Sequence, residues 1–292
     1  MIRISVRVSR AHAATALAEL LAFSPAGVEE TLGDDETVEY VLYGAAGELP
    51  SLPTLEASVG DALVEVATSE IEDDWSTRWR TFHQPVEVAG RLHVRAPWHE
   101  PPASAGGILD IVIEPGQAFG TGAHATTRLC LELLVALADG GQARGPLLDI
   151  GTGSGVLAIA AARLGYGPVI AVDHEREAVA AATANAAVNG VALDVRRLDL
   201  RRDELPVATT VTANLLRPLL LDLAERMTGR PRRLIASGLL GGQADEIALA
   251  FATRHGMEVG ARRDDGEWAA LLLEAPIGVR PVRAYPLPDE RH

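Results

Sequence analysis

Lysine is absent from this chain, since every one of its 26 basic residues is arginine. A bias in genomic composition is a sufficient explanation. Cysteine is nearly absent as well: Cys130 is the only one, and a single cysteine cannot form an internal disulfide. A reducing compartment, the cytoplasm, is therefore the predicted location. Cys130 falls in an apolar helical pattern, which predicts packing in a core rather than a nucleophilic role.

Long apolar runs are also missing. None approaches the roughly 18 uninterrupted apolar residues that a membrane-spanning helix needs. The first residues, Met1 to Val6, have the pattern of a strand and lack the apolar core of a signal peptide. Apolar residues still make up 48% of the chain, which is ample for a folded core, and a length of 292 residues predicts two domains.

The acidic charge is distributed unevenly. The net charge is −14, and residues 1–70 hold twelve acids and three arginines, which leaves −5 for the remaining 222 residues. An acidic first segment disfavours direct contact with nucleic acid and would attract a basic protein. The alternative, that this charge only keeps the protein soluble, is equally compatible with composition.

The first 67 residues have a β-α-β-β-α-β order. Alternating apolar residues predict strands, which flank a Gly33-Asp34-Asp35 turn in the middle of the segment. The predicted strands are 2–8, 28–32, 37–42 and 62–67, and the predicted helices are 10–22 and 52–59. This order is typical of a small α+β ferredoxin-like sandwich. No catalytic group stands out in it, so substrate recognition is its predicted role.

A connecting helix is predicted over residues 68–85, with Trp75 and Trp79 on one face and acidic residues in its first turn. The second domain is predicted to span 86–275. Strands and helices alternate there, as in a doubly wound α/β sheet. Residues 276–292 contain four prolines and are predicted to form a loosely packed tail.

A glycine loop is the clearest chemical signal in the second domain. It lies within Leu147-Leu148-Asp149-Ile150-Gly151-Thr152-Gly153-Ser154-Gly155-Val156-Leu157, where a predicted strand gives way to a predicted helix. Gly151, Gly153 and Gly155 allow the backbone to turn tightly and to approach a ligand, which amides of the helix N-terminus would face. Asp173 ends the next predicted strand, and its carboxylate could accept both hydroxyls of a ribose.

The glycine spacing separates two cofactor classes. The dinucleotide fingerprint is G-x-G-x-x-G, whereas here the third glycine is Gly155 and Val156 follows it. G-x-G-x-G after an acid such as Asp149 is the usual first motif of methyltransferases that use S-adenosyl-L-methionine. That cofactor carries a cationic sulfonium and no phosphate, so an acidic loop suits it. A glycine-rich turn without a ligand is the remaining alternative, and Asp173 argues against it.

A second loop, Phe119-Gly120-Thr121-Gly122-Ala123-His124-Ala125-Thr126-Thr127, precedes a helix predicted at 128–137. It resembles the F-G-T-G-x-H-x-T-T signature of the bacterial methyltransferases that modify large-subunit ribosomal protein eleven. The glycine loop, Asp173, Asn214-Leu215-Leu216 and Ser237-Gly238-Leu239-Leu240 follow in that family's order. The resemblance covers nearly the whole chain. From the residues alone, Thr126 and Thr127 are equally well explained as helix caps.

The resemblance implies cofactor contacts at Thr127, Gly151, Asp173 and Asn214. Further candidates for cofactor binding are Phe119, which could cover the site, the loop glycines Gly153 and Gly155, and Asp199, which could accept from the adenine amino group. Catalytic candidates are Asn214, whose side-chain carbonyl could hold an amine, and His124 as a proton acceptor. No metal site is predicted. The chain departs from the family pattern at Ala125, His174-Glu175 and Arg217-Pro218.

The implied reaction is S-adenosylmethionine-dependent N-methylation of lysine side chains or the α-amino group of a basic ribosomal protein, by a monomer whose first domain docks the substrate. A methyltransferase of another protein or of a small molecule is possible on the same scaffold. A non-catalytic binding module and a nicotinamide-dependent oxidoreductase are two further alternatives. Val156 disfavours the oxidoreductase, and the intact Asp173 and Asn214 disfavour the binding module.

Overall fold

The structure is a computed structural model, and it describes part of the chain in two units. The described residues are 2–13, 16–17, 20, 28–32, 36–44, 63–70, 84–102, 107–115, 122–143 and 145–276. The described residues up to Glu70 belong to the first compact unit, and those from Gln84 onward belong to the second.

The first unit contains a four-stranded antiparallel sheet. Its strands are β1 (Ile2–Ser9), β2 (Glu29–Leu32), β3 (Thr37–Gly44) and β4 (Leu63–Glu70). They lie in the order β2-β3-β1-β4, so the two strands of the predicted hairpin pair and β1 lies between β3 and β4. This is the strand order of a ferredoxin-like sheet, as predicted.

A small core supports this sheet. The chain turns at a short 3₁₀ helix, Arg10–His12, and the described residues that follow are helical. Ala16 and Leu20 of this helix are buried in one cluster with Val6 and Leu42 of the strands. The predicted apolar helix face therefore packs on the sheet.

The segment after β4 differs from its prediction where the structure describes it. β4 extends to Glu70, so residues 68–70 belong to a strand and not to the start of the predicted linker helix. Because they pair with β1 throughout, the ladder of backbone hydrogen bonds outweighs the helical pattern there. The rest of that helix, with Trp75 and Trp79, lies outside the described residues, as do the predicted helix at 52–59 and the tail from residue 277 onward.

The second unit begins with a small sheet of three strands. These are β5 (Val86–Val88), β6 (Leu92–Arg95) and β7 (Leu109–Val112), with β6 in the centre. Ala89 and Gly90 both have positive φ angles, 50° and 64°, and the Arg91 amide donates to the Val88 carbonyl. A turn with two positive φ angles matches the twist of the strands it joins.

The large sheet has seven strands, with helices between them. In chain order the elements are α1 (Ala125–Asp139), β8 (Leu147–Ile150), α2 (Val156–Arg163), β9 (Val169–Asp173), α3 (Arg176–Val188), β10 (Asp194–Arg197), β11 (Thr210–Asn214), α4 (Arg217–Arg226), β12 (Arg233–Leu240), α5 (Ala244–His255), β13 (Glu258–Asp265) and β14 (Trp268–Glu274). The strand order is β10-β9-β8-β11-β12-β14-β13. Strands β8 to β12 are parallel, and β14 runs antiparallel to both of its neighbours. The predicted doubly wound sheet is confirmed.

Helices cover both faces of this sheet. Alternate strand residues point to opposite faces, so Leu147 joins the cluster beneath α1 and α2, whereas Leu148 joins the one beneath α4 and α5. Cys130 of α1 is fully buried, and burial raises the pKa of its thiol, so the packing role predicted for it is confirmed. Within the described parts of the chain, no helix combines the length and apolar character needed to cross a membrane.

Gly238 allows β12 to bend beside the strand β11. It has a φ of +83°, and a Cβ there would lie 2.4 Å from the Leu215 carbonyl oxygen. The pairing of β12 with β14 shifts its register at this point, between Ala236 and Leu239. The bend holds the chain that follows Asn214 in place, because the Leu215 amide donates to the Ser237 carbonyl at 3.0 Å.

We therefore expect Gly238→Ala to destabilise the protein by about 3 kcal/mol, since it combines an unfavourable φ with a backbone clash. The matched control is Gly256→Ala, where φ is +63° but no atom lies within 4 Å of an added Cβ. It should cost only about 1 kcal/mol. Urea unfolding measures the free energy of unfolding of both variants. Equal losses would show that the close contact with the Leu215 backbone does not require glycine at position 238.

Candidate active site

The predicted site residues converge at one edge of the large sheet. The glycine loop, Asp173, Asp199 and Asn214 stand at or just beyond the carboxyl ends of β8, β9, β10 and β11. The strand order reverses between β8 and β11, whose following helices pack on opposite faces. In open α/β sheets ligands bind outside the carboxyl ends of the strands at such a point.

Asp149 is the buried acid beneath the glycine loop. Its side-chain oxygens accept hydrogen bonds from the hydroxyls of Thr152 and Thr212, each at 2.6 Å, and the residue is only 1% exposed. Burial, together with the charge of Asp173, raises its pKa to about 6, against the lowering effect of these hydrogen bonds. Sequence reasoning placed Asp149 before the loop but did not include it among the site residues.

Asp173 closes the other side of the loop. One of its oxygens accepts from the Gly153 amide at 3.0 Å and the other from the Glu175 amide at 3.1 Å. The ring of His174, one of the departures from the family pattern, lies 3.4 Å from the same carboxylate. A carboxylate has about four acceptor positions, so hydroxyl groups can still bind to it.

The three loop glycines have different surroundings. All have positive φ angles, of 69° for Gly151, 55° for Gly153 and 84° for Gly155. A Cβ on Gly151 would meet the side chain of Leu215 at 2.4 Å, and one on Gly155 would meet Ala182 of α3 at 3.1 Å. Gly155 thus allows two helices to pack closely. The close approaches at Gly151 and Gly155 are to protein atoms, and the cofactor contacts of all three glycines stay predictions.

Asn214 and Thr127 meet across the site. The Asn214 Nδ2 donates to the Thr127 hydroxyl at 3.2 Å, and Thr127 is 1% exposed in the first turn of α1. Donation through Nδ2 orients the side-chain carbonyl, the group predicted to hold an amine. The two residues are 87 positions apart in sequence, and the fold brings them together.

His124 is the N-cap of α1, so the alternative reading of Thr126 and Thr127 as caps of this helix does not hold. Its Nδ1 accepts from the Thr126 amide at 3.3 Å and pairs with the Thr126 hydroxyl at 2.8 Å. Burial, together with the charge of Arg128, lowers its pKa. The imidazole is therefore neutral at pH 7, and its Nδ1 is engaged in the cap.

A hairpin anchors the same end of α1. The indole of Trp268 packs edge-on against the His124 ring, with ring centroids 4.9 Å apart, and Asp265 forms an ion pair with Arg128. Both residues lie at the β13–β14 turn, far from α1 in sequence. Sequence reasoning missed them because no local motif links that turn to the helix.

Asp199 and Phe119 are the two remaining residues predicted to bind the cofactor. Asp199 follows β10, which pairs with β9 so that Arg197 lies opposite Asp173. The Asp199 carboxylate accepts from the Arg201 amide at 2.9 Å, and its adenine contact stays a prediction. Phe119 lies outside the described residues. The described residues contain no group of three or more side chains that could hold a metal ion.

The charge of the loop identifies the kind of cofactor. A pyrophosphate would need free amides, but the Gly153 amide already donates to Asp173, and the Asp149 carboxylate lies beneath the same loop. Two acids disfavour an anion and favour a cation. With the glycine loop at the point where the strand order reverses, these acids define an S-adenosylmethionine-dependent methyltransferase.

Comparison with known proteins identifies the family. The family model described as "Ribosomal protein L11 methyltransferase (PrmA)" matches residues 19–276. The chain therefore belongs to the ribosomal protein L11 methyltransferase family, as the motifs predicted.

Individual relatives agree with this assignment. The chain is 38% identical to the ribosomal protein L11 methyltransferase of Symbiobacterium thermophilum, over 70% of this chain and 67% of the relative. It is 37% identical to that of Pseudomonas fluorescens, over 76% of each. A solved structure, the ribosomal protein L11 methylase from Lactobacillus delbrueckii subsp. bulgaricus, superposes with a TM-score of 0.58 at 27% identity and covers 66% of this chain and 99% of that one.

The raised pKa of Asp149 predicts how stability depends on pH. The folded state binds this proton more tightly than the unfolded chain, so the contribution is fully present below pH 3.8 and is lost as pH rises through about 6. Between pH 7.5 and pH 5, Asp149 should add about 1 kcal/mol to the free energy of unfolding. Asp149→Asn should remove that increment in urea titrations across this range.

Asp110 is the matched control because its pKa shifts in the opposite direction. Burial disfavours its charge, but hydrogen bonds from Arg95 and His93 outweigh burial and lower its pKa below the usual value. Its contribution is present above pH 3.8 and lost only as pH falls further. Asp110→Asn should therefore keep the wild-type slope between pH 5 and 7.5, and a slope unchanged in Asp149→Asn would contradict the assignment.

Proposed function

We propose that this protein transfers methyl groups from S-adenosyl-L-methionine to amino groups of ribosomal protein L11, on lysine side chains, the α-amino group or both. The observation that carries the proposal is the Asn214–Thr127 hydrogen bond, which places an oriented side-chain carbonyl at the same sheet edge as the acidic glycine loop. The family, whose name specifies the ribosomal substrate, supports it.

The cofactor would lie along the loop between Asp149 and Asp173. Asp173 would accept the ribose hydroxyls, and the two carboxylates would favour the positive charge of the sulfonium. When bound, this cofactor supplies a methyl group already activated for displacement. The protein therefore needs mainly to align the amine and to exclude water.

The amine must reach the site without a proton, because an ammonium ion has no lone pair to attack with. A lysine side chain in water has a pKa of about 10.4, so the site must favour the neutral form. The Asn214 carbonyl would accept an N–H of the amine and hold it in line. His124 as a proton acceptor stays a prediction: its lowered pKa keeps the ring neutral, but Nδ1 is occupied by Thr126.

The acidic first domain would dock the substrate. Its excess of acids complements a basic ribosomal protein and disfavours direct contact with nucleic acid. We propose that the protein acts as a monomer in the cytoplasm. The four-stranded sheet would present the docking surface, while the second unit carries the residues proposed for catalysis.

Removing the ribose-binding carboxylate tests the cofactor assignment. Asp173→Ala should weaken S-adenosylmethionine binding by at least about tenfold, because it removes acceptors for two hydroxyls. Asp194→Ala is the matched control, since it removes the same charge from the neighbouring strand β10, where Asp194 pairs with Arg196. Calorimetry measures both, and equal affinities for the two variants would remove the ribose assignment.

Methylation of total ribosomal protein tests the substrate. We expect labelled S-adenosylmethionine to mark one basic protein, identified by mass spectrometry as L11. A variant that starts at Gln84, where the described residues of the second unit begin, should bind the cofactor with unchanged affinity but lose methylation of the protein. Label on another band would favour a different substrate, and equal methylation by the shortened variant would contradict docking by the first domain.

A further inference from the structure

An ion pair stands three residues beyond Asn214. Arg217 is the first residue of α4, and its guanidinium donates two hydrogen bonds to the Glu246 carboxylate, from Nε at 2.6 Å and from Nη2 at 2.5 Å. Glu246 lies in the first turn of α5. The pair therefore joins the two helix ends that face the same edge of the sheet as the candidate active site.

Stability accounts for only part of the role of this pair. Its bidentate geometry strengthens it, but both side chains are about half exposed, at 39% and 47%, and exposure to solvent limits what an ion pair contributes to folding. A cation at the start of a helix is also opposed by the helix dipole, whereas Glu246 at the start of α5 is favoured by it. Hydrogen bonding to Arg217 lowers the pKa of Glu246, so its carboxylate is charged at neutral pH.

The position of the Arg217–Glu246 pair, close to Asn214, suggests a role in the approach of the substrate. Three residues of chain span at most about 10 Å between Cα atoms, so α4 begins close to Asn214. At low ionic strength, where the Debye length is about 30 Å, the charge of Arg217 acts on the Asn214 region even when the length of its side chain is added. The proposed substrate is a basic protein that delivers an amine to Asn214. An unpaired guanidinium beside that residue would repel it, while a neutralised one would not.

Other charges at this corner are arranged in the same way. Arg262 pairs with Asp264 at 2.8 Å and lies 3.7 Å from Asp245, which is 98% exposed in the first turn of α5. Arg262, like Arg217, is thus matched by an acid, and Asp245 adds a carboxylate that faces solvent.

We propose that Glu246 is a specificity-determining residue, which neutralises Arg217 so that a basic substrate can approach the active site. The inference rests on the proposed function, because it requires a cationic protein substrate. Arg217 makes no contribution of its own to substrate binding. Its cation is tolerated only while Glu246 is charged and paired with it.

A set of matched variants tests this. Glu246→Gln should raise KM for ribosomal protein L11 by about threefold at low ionic strength with kcat unchanged, and the effect should fade as salt screens the freed cation. Arg217→Gln leaves the Glu246 carboxylate unpaired, so it should lower KM by a similar factor at low ionic strength. The double variant should restore the wild-type KM, a rescue that a purely structural role would not produce.

The control uses the other ends of the same two helices. Arg254 of α5 pairs with Glu225 of α4 at 3.1 Å, so Glu225→Gln breaks a similar exposed pair away from the sheet edge. It should leave KM unchanged. The inference is overturned if Glu246→Gln behaves like Glu225→Gln, if the double variant stays impaired, or if Arg217→Gln alone raises KM. A wild-type enzyme that leaves L11 unmethylated would instead overturn the proposed function, and the inference with it.

Discussion

The candidate active site depends on one buried carboxylate. Asp149 of β8 accepts one hydrogen bond from the Thr152 hydroxyl in the glycine loop and another from the Thr212 hydroxyl in β11. It therefore joins the two strands between which the sheet order reverses. A buried charge is tolerated only when it is hydrogen-bonded in this way. A separate hydrogen bond, from the Gly153 amide to Asp173, holds the other side of the loop, and Asn214 follows Thr212 at the end of β11.

The second support is the end of α1. His124 caps the helix, Trp268 packs on His124, and Asp265 pairs with Arg128, so the β13–β14 hairpin holds the turn that carries Thr127. The Thr127 hydroxyl in turn accepts a hydrogen bond from the Asn214 side-chain amide. The geometry of the candidate active site therefore depends on these supporting residues as much as on the residues that would touch a ligand.

Local patterns predicted much of this. The alternation of strands and helices, the ferredoxin-like strand order and the loop at Gly151–Gly155 all follow from apolar period and glycine placement, which act over a few residues. Local patterns gave the wrong structure where pairing with a distant strand competes with the local preference. Residues 68–70 pair with β1 and so extend a strand into a helical pattern. His124, and neither threonine, caps α1, because the helix begins at Ala125 and the Thr126 amide donates to the histidine ring.

Short motifs were enough to predict the family, the cofactor class and the residues at the sheet edge, because glycines, acids and their spacing are local and chemically distinctive. Which of these residues meet depends on the folded chain. It placed Asn214 against Thr127 across 87 positions, set Leu215 over Gly151 and Ala182 against Gly155, and paired Arg217 with Glu246. Such contacts depend on how whole strands and helices pack, and no short stretch of chain contains that information.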